Sequence, residues 1–162
     1  MDNLGKARAL AVVVPAALLG GAYVSQYGFG LPPCEMCWWQ RYPHFAALGL
    51  GLAAYALKPP QVWTALAGLA ILTSGLIGGF HAGVEYGWWE GVTACTAPAS
   101  GIDVLDFTAA PLIRCDVAPW TLFGISLAGF NFLISGLGGA AIVALAAYGR
   151  YDLPEGADNA AR

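Results

Sequence analysis

Four long stretches of this chain carry no charged side chain: residues 9–34, 42–57, 59–84 and 117–149. A helix needs about 20 predominantly apolar residues to cross the hydrocarbon of a bilayer. Within lipid a helix satisfies every backbone donor and acceptor internally. The chain is therefore expected to be an all-α membrane protein, a bundle of four transmembrane helices. Composition agrees, since 58% of residues are hydrophobic and 10% charged, against about 25% charged in soluble domains. The expected spans are about 9–29, 40–57, 61–82 and 118–147, forming one domain over 1–149, with external loops 30–39 and 83–117. The second span is short, because only 16 residues separate Arg41 from Lys58. It must borrow Trp38 and Trp39 at the interface or thin the bilayer. Lys6 and Arg8 ahead of an apolar run also fit a cleaved leader, but the run is longer than a leader core and no A-x-A-like site precedes Cys34.

Orientation follows from where Lys and Arg sit rather than from the net charge of −3. With alternating spans, Lys6, Arg8, Lys58, Arg150 and Arg162 share one side, leaving Arg41 and Arg114 on the other. Both termini are thus expected in the cytoplasm, and the polar segment 150–162 reads as a cytoplasmic tail. Small residues that would let helices approach closely recur at Gly20, Gly21, Gly49, Gly51, Gly75, Gly79, Gly136, Gly138 and Gly139. In the second external loop, Ile102, Leu105, Ala109, Leu112 and Ile113 fall on a stripe opposite Asp103 and Asp106. This is the pattern of a short interfacial helix between residues 101 and 114, bracketed by Trp88, Trp89 and Trp120 and interrupted by Pro111.

The chain has four cysteines, and all fall at the edges of spans: Cys34 and Cys37, two residues apart, and the wider pair Cys95 and Cys115. Thiols at the water boundary form thiolates and exchange disulfides, whereas thiols deep in a bundle are inert. The orientation puts all four outside, where disulfides persist. The C-x-x-C spacing at a helix start invites reversible redox chemistry, because the helix N-terminus favours a thiolate. Arg41 stands one turn beyond Cys37, where its cation can stabilise a thiolate or a ligand oxygen; snorkelling to phosphates is the bland alternative. A zinc site would need all four cysteines to converge around a second pair that lacks C-x-x-C spacing, so no metal is expected. His81 ends an otherwise uncharged span and is a candidate to bond a ligand or relay a proton, with Glu85 on the same face; His44, just after Pro43, could also line the site but reads rather as a solvated edge residue.

Pro33-Cys34-Glu35-Met36-Cys37-Trp38-Trp39-Gln40-Arg41-Tyr42 resembles the P-C-x-x-C-x-x-Q-R signature of the disulfide bond formation protein B (DsbB) family. Gly-Gly-Phe-His-Ala-Gly-Val-Glu at 78–85 and Trp-Thr-Leu-Phe-Gly-Ile-Ser at 120–126 extend the likeness over most of the chain. The resemblance implies a thiol:quinone oxidoreductase of the bacterial inner membrane that reoxidises a periplasmic thioredoxin-like partner of the DsbA type. That relay is a general property of the family. It further implies that Cys95 and Cys115 form the disulfide offered to the partner, with Cys95 taking the mixed disulfide. Electrons then pass through a Cys34 to Cys115 link, leaving Cys37, with Arg41 and His81, at a bound ubiquinone or menaquinone. No nucleic acid partner is expected. Two other readings stay open on the residues: a membrane scaffold stapled by permanent disulfides, and a quinone reductase of the vitamin K epoxide reductase type.

Overall fold

The structure, a computed structural model, describes residues 2–93, 95 and 113–148. Four helices make the architecture: α1 (Asn3–Gly28), α2 (Glu35–Ala56), α3 (Pro60–Glu85) and α4 (Leu127–Tyr148). The tightest packing joins α3 to α4 and α2 to α3, while α1 lies across α2 and α4. Helices α1, α3 and α4 are long and apolar enough to cross a membrane. The outer surface carries exposed Leu52, Leu69, Leu76 and Leu137, a distribution that water does not tolerate over contiguous patches. Helix α2 is the less apolar one because Glu35, Gln40, Arg41 and His44 crowd its first half. That half is where the site lies.

Asp2 caps α1, its carboxylate accepting from the Gly5 amide at 2.9 Å, so Lys6 and Arg8 sit in the opening turns of the helix. The Arg8 guanidinium lies 4.0 Å from the centre of the Tyr55 ring, near the far end of α2. The start of α1 and the end of α2 therefore share one end of the bundle, and the start of α2, with its cysteines, lies at the other. Small residues permit the close helix contacts. A Cβ at Gly75 would meet the Gly136 amide nitrogen of α4 at 3.0 Å, and one at Gly51 would meet the Ala11 carbonyl of α1 at 2.7 Å. By contrast Gly20, Gly21, Gly49 and Gly136 face open space, so those glycines of the sequence pattern are not packing devices.

Helix α3 ends in a left-handed turn at Gly87 (φ 71°), where the Gly87 amide bonds Val84 O at 3.1 Å and the Trp88 amide bonds Gly83 O at 2.8 Å. These bonds satisfy the last carbonyls of the helix and fold Trp89 back over Gly83 to donate to Phe80 O at 2.9 Å. The apolar run expected to open the fourth span at 118 is not helical until Leu127. A hairpin precedes the helix, with β1 (Thr121–Leu122) antiparallel to β2 (Ile125–Ser126). Phe123 and Gly124 both have positive φ, 52° and 78°, which is the twist a two-residue hairpin turn demands. Tyr86 clamps the hairpin, donating to Gly124 O at 3.1 Å and accepting from the Ser126 amide at 3.0 Å. Apart from Ile113 and Arg114, the expected interfacial helix lies outside the described residues.

Candidate active site

Prolines 32 and 33 hold the chain extended ahead of α2, and Cys34 is its N-cap: the Cys34 sulfur accepts from the Cys37 amide at 3.2 Å. The two sulfurs lie 2.8 Å apart, Cys34 donating to Cys37. They are free thiols in contact, needing little movement to close a disulfide. Both stand ahead of the uncharged part of α2. The hydrogen bond to Cys37, and then burial, raise the pKa of Cys34 far above the thiol range. The same bond lowers Cys37 against the opposing effect of its burial, with a backbone hydrogen bond and, least of all, Arg41 adding to the lowering. The two effects have opposite signs, so Cys37 is the readier of the two sulfurs to ionise.

The second pair is a disulfide, Cys95 to Cys115, with Cα atoms 5.5 Å apart. Cys95 is half-buried and Cys115 fully buried, and Thr93 Oγ1 sits 3.0 Å from the Cys95 sulfur. Cys115 packs with Cys34, Met36 and Val84 in one buried cluster, so the two pairs meet. His81 stands at the junction. Its Nε2 lies 3.2 Å from Cys115 O, 3.7 Å from the Cys34 sulfur and 3.7 Å from Glu85 Oε1. Gln40 Nε2 bonds Met36 O at 3.1 Å and His81 Nδ1 at 2.9 Å. An amide nitrogen only donates, so Nδ1 accepts and Nε2 carries the proton of the neutral ring. Cys34, Cys37 and His81 bring three potential metal ligands within 4.8 Å of one another, but a protonated Nε2 is a donor rather than a ligand.

A cavity of about 240 Å³ opens beside Cys37. Leu18 and Ala22 of α1 and Phe130 of α4 give it apolar walls, and Gln40, Arg41 and His44 of α2 line it with polar groups. Arg41 is 6% exposed and reaches toward α1. It donates to Gln26 Oε1 at 2.7 Å and Ala22 O at 3.3 Å, between the rings of Tyr23 and Trp38, 5.0 and 4.9 Å from their centres. Its hydrogen bonds thus go to α1 rather than to Cys37, and its effect on that sulfur is through space.

Of the residues singled out in the sequence, the structure brings together Cys34, Cys37, His81 and the Cys95–Cys115 disulfide, with Arg41 on the cavity wall. His44 is a correction. It is 3% exposed, not a solvated edge residue, because Pro43 lies within α2 and His44 falls on the face that α3 and α4 cover. A buried polar network across α2, α3 and α4 went unread: Gln40, His44, Ser74, Asn131 and Ser135. Its signal was present, since amide and hydroxyl side chains within apolar spans are costly unless bonded.

A family profile described as disulfide bond formation protein DsbB matches residues 6–146. The disulfide bond formation protein B of Verminephrobacter eiseniae is 32% identical over 88% of this chain and 86% of its own length. That of Azoarcus sp. is 33% identical over 80% and 83%, and an uncharacterized protein of Rickettsia prowazekii is 24% identical over 76% and 77%. No solved structure matches the chain.

Proposed function

The chain belongs to the disulfide bond formation protein B family, membrane disulfide oxidoreductases, and from that premise we propose that it passes electrons from a thioredoxin-like dithiol protein of the DsbA type, through its two cysteine pairs, to a membrane quinone. The observation that carries the reading is the contact of the pairs: buried Cys115 of one packs with Cys34 of the other, while Cys37 opens on the cavity. Exposure falls from Cys95 to Cys115, the order in which an external thiol would meet them.

A thiolate of the partner attacks the Cys95 sulfur, the bond to Cys115 breaks, and Cys115 leaves as a thiolate. The second partner thiol closes the partner's disulfide and releases Cys95. Cys115 then attacks Cys34 of the closed Cys34–Cys37 disulfide, and Cys37 leaves as the thiolate. Attack by Cys95 on Cys115 re-forms the outer disulfide and frees Cys34 with a proton. The structure has the arrangement at this end of the sequence, Cys95–Cys115 closed and Cys34 and Cys37 open. The His81 Nε2 proton, between Cys115 O and the Cys34 sulfur, stabilises charge on Cys34 during the exchange.

The cavity fits a quinone ring, since about 150 Å³ suffices for benzene and this one holds about 240 Å³ with apolar walls and donors at one side. A bound quinone would supply the acceptor for two electrons and two protons. Cys37, Arg41 and His81 are the residues that would hold it. Arg41 keeps a permanent cation at the cavity wall, where preorganised charge acts most strongly. The reading further takes α2 as a fourth span, in the bacterial inner membrane, with both termini cytoplasmic and the cysteines periplasmic. Lys6, Arg8 and Lys58 at the end away from the cysteines support it. Anaerobic mixing of the purified protein with a reduced thioredoxin-like dithiol and a soluble quinone tests the function. Quinone reduction that needs both the dithiol and the protein is expected; a rate no greater than that without protein would refute it.

A further inference from the structure

We propose that Thr93 is a catalytic residue of the outer pair, its hydroxyl donating to the Cys115 sulfur as that sulfur leaves as a thiolate. This rests on the reading in which a partner dithiol opens the Cys95–Cys115 bond. Thr93 stands two residues ahead of Cys95 and is 7% exposed. Its Oγ1 lies 3.0 Å from the Cys95 sulfur and 3.6 Å from the Cys115 sulfur. Neither sulfur of a closed disulfide carries a proton, so in either contact only the hydroxyl can donate. The Cys115 amide also bonds Cys95 O at 3.3 Å. That backbone bond does not depend on the disulfide, and it keeps both sulfurs beside Thr93 as the bond between them opens.

The need for a donor comes from burial. When a partner thiolate attacks Cys95, a bond from the partner to Cys95 forms, the Cys95–Cys115 bond breaks, and its electron pair stays on Cys115. That sulfur belongs to a fully buried residue packed with Cys34, Met36 and Val84, a setting in which a charge without a hydrogen bond is costly. Thr93 already reaches it in the closed disulfide. The hydroxyl rests nearer Cys95, the sulfur attacked, and rotation about its C–O bond turns the proton to Cys115. A hydrogen bond to a charged acceptor is stronger than one to a neutral acceptor, so the bond gains strength as the disulfide breaks and favours the transition state over the resting protein. A better stabilised thiolate leaves faster. Thr93 keeps its proton throughout, and the exchange itself stays balanced between the three sulfurs.

The test uses the protein in the state described, with the outer disulfide closed and Cys34 and Cys37 reduced, without quinone and with dithiothreitol as the attacking dithiol. Opening of the Cys95–Cys115 bond, read by acid quench and thiol labelling, should slow about tenfold in Thr93→Val, the low end for a hydrogen bond to a charged group. Valine keeps the shape of threonine without the hydroxyl, and Thr93→Ser keeps the hydroxyl, so the serine variant should recover most of the rate. A second measurement holds even where Thr93→Val fails to close the outer disulfide. In Cys95→Ala labelled with 13C at cysteine Cβ, the ionised fraction of Cys115 at fixed pH should fall about tenfold when Thr93→Val is added, and not when Thr93→Ser is. A parent-like opening rate in Thr93→Val, slowing of the same size in Thr93→Ser, or an unchanged ionised fraction would each overturn the role of Thr93. Neither measurement involves a partner protein or a quinone, so these outcomes leave the functional reading standing; a parent protein that moves no electrons from a reduced thioredoxin-like dithiol to quinone would overturn that reading instead.

Discussion

Cys34 and Cys37 begin a helix, whereas Cys95 and Cys115 belong to chain outside the four helices, and the two settings differ in what they let a sulfur do. The first pair is positioned by backbone: the Cys34 sulfur caps α2 and donates to the Cys37 sulfur at 2.8 Å. Its chemistry is set by charge. The second pair is positioned by packing, Cys95 half-buried and Cys115 sealed against Cys34 and Met36. Its chemistry is set by access. One sulfur of each pair is thus the more accessible, Cys95 at the second pair and Cys37, beside the cavity, at the first.

The largest expected effect comes from breaking the junction. Cys115→Ser should abolish turnover of a reduced partner, a loss of more than about a hundredfold, since thiol exchange then has no sulfur to carry it inward. Oxidation of Cys34 and Cys37 by quinone alone should persist, as read by thiol labelling. Parent-like partner turnover in this variant would show that the pairs act independently.

Next in size is Arg41→Met, which removes the cation from the cavity wall and its bonds to Gln26 and Ala22. Quinone reduction should slow by about a hundredfold, the usual cost of losing one preorganised charge, while mixed-disulfide trapping at Cys95 stays near normal. Arg41→Lys should recover part of the rate, since it keeps the charge but not the planar fork. Quinone kinetics unchanged in Arg41→Met would leave Arg41 as a clamp between α1 and α2 only.

A smaller effect separates the two sulfurs of the first pair. Cys37 is depressed and Cys34 raised, chiefly by the bond between them. In the reduced protein, iodoacetamide should therefore modify Cys37 first. Its rate should stay high below the ordinary thiol pKa and fall as acid reprotonates the thiolate, since a lowered pKa moves that loss to lower pH. Peptide mapping over a pH series reads this, and earlier modification of Cys34 would contradict it. Least affected should be Asp116→Asn beside the second pair. Its bidentate partner Arg114 is exposed, and exposed ion pairs contribute little, so the thermal midpoint and partner turnover should not change measurably.

Legibility in the sequence followed the same division. The helices and the C-x-x-C pair were readable because uncharged runs and local spacing are one-dimensional signals. The start of α4 was not, since the Phe123-Gly124 turn lies inside an apolar run that looks helical by composition. Nor was the fate of Arg41 or His44. Sequence spacing put Arg41 on the face of Cys37, yet Gln26 and Ala22 of another helix take its hydrogen bonds. His44 looked solvated until Ser74 and Asn131, distant in sequence, enclosed it. Contacts between elements decide such cases, and no single-chain periodicity records them.

The central claim is that electrons cross between the pairs at Cys34 and Cys115, the two cysteines buried in one cluster with Met36 and Val84. The direct measurement is mild oxidation of the Cys37→Ser, Cys95→Ser double variant followed by disulfide mapping. The account predicts rapid, near-complete formation of a Cys34–Cys115 disulfide within one chain. Persistence of both as free thiols, or their pairing only between chains, would contradict it.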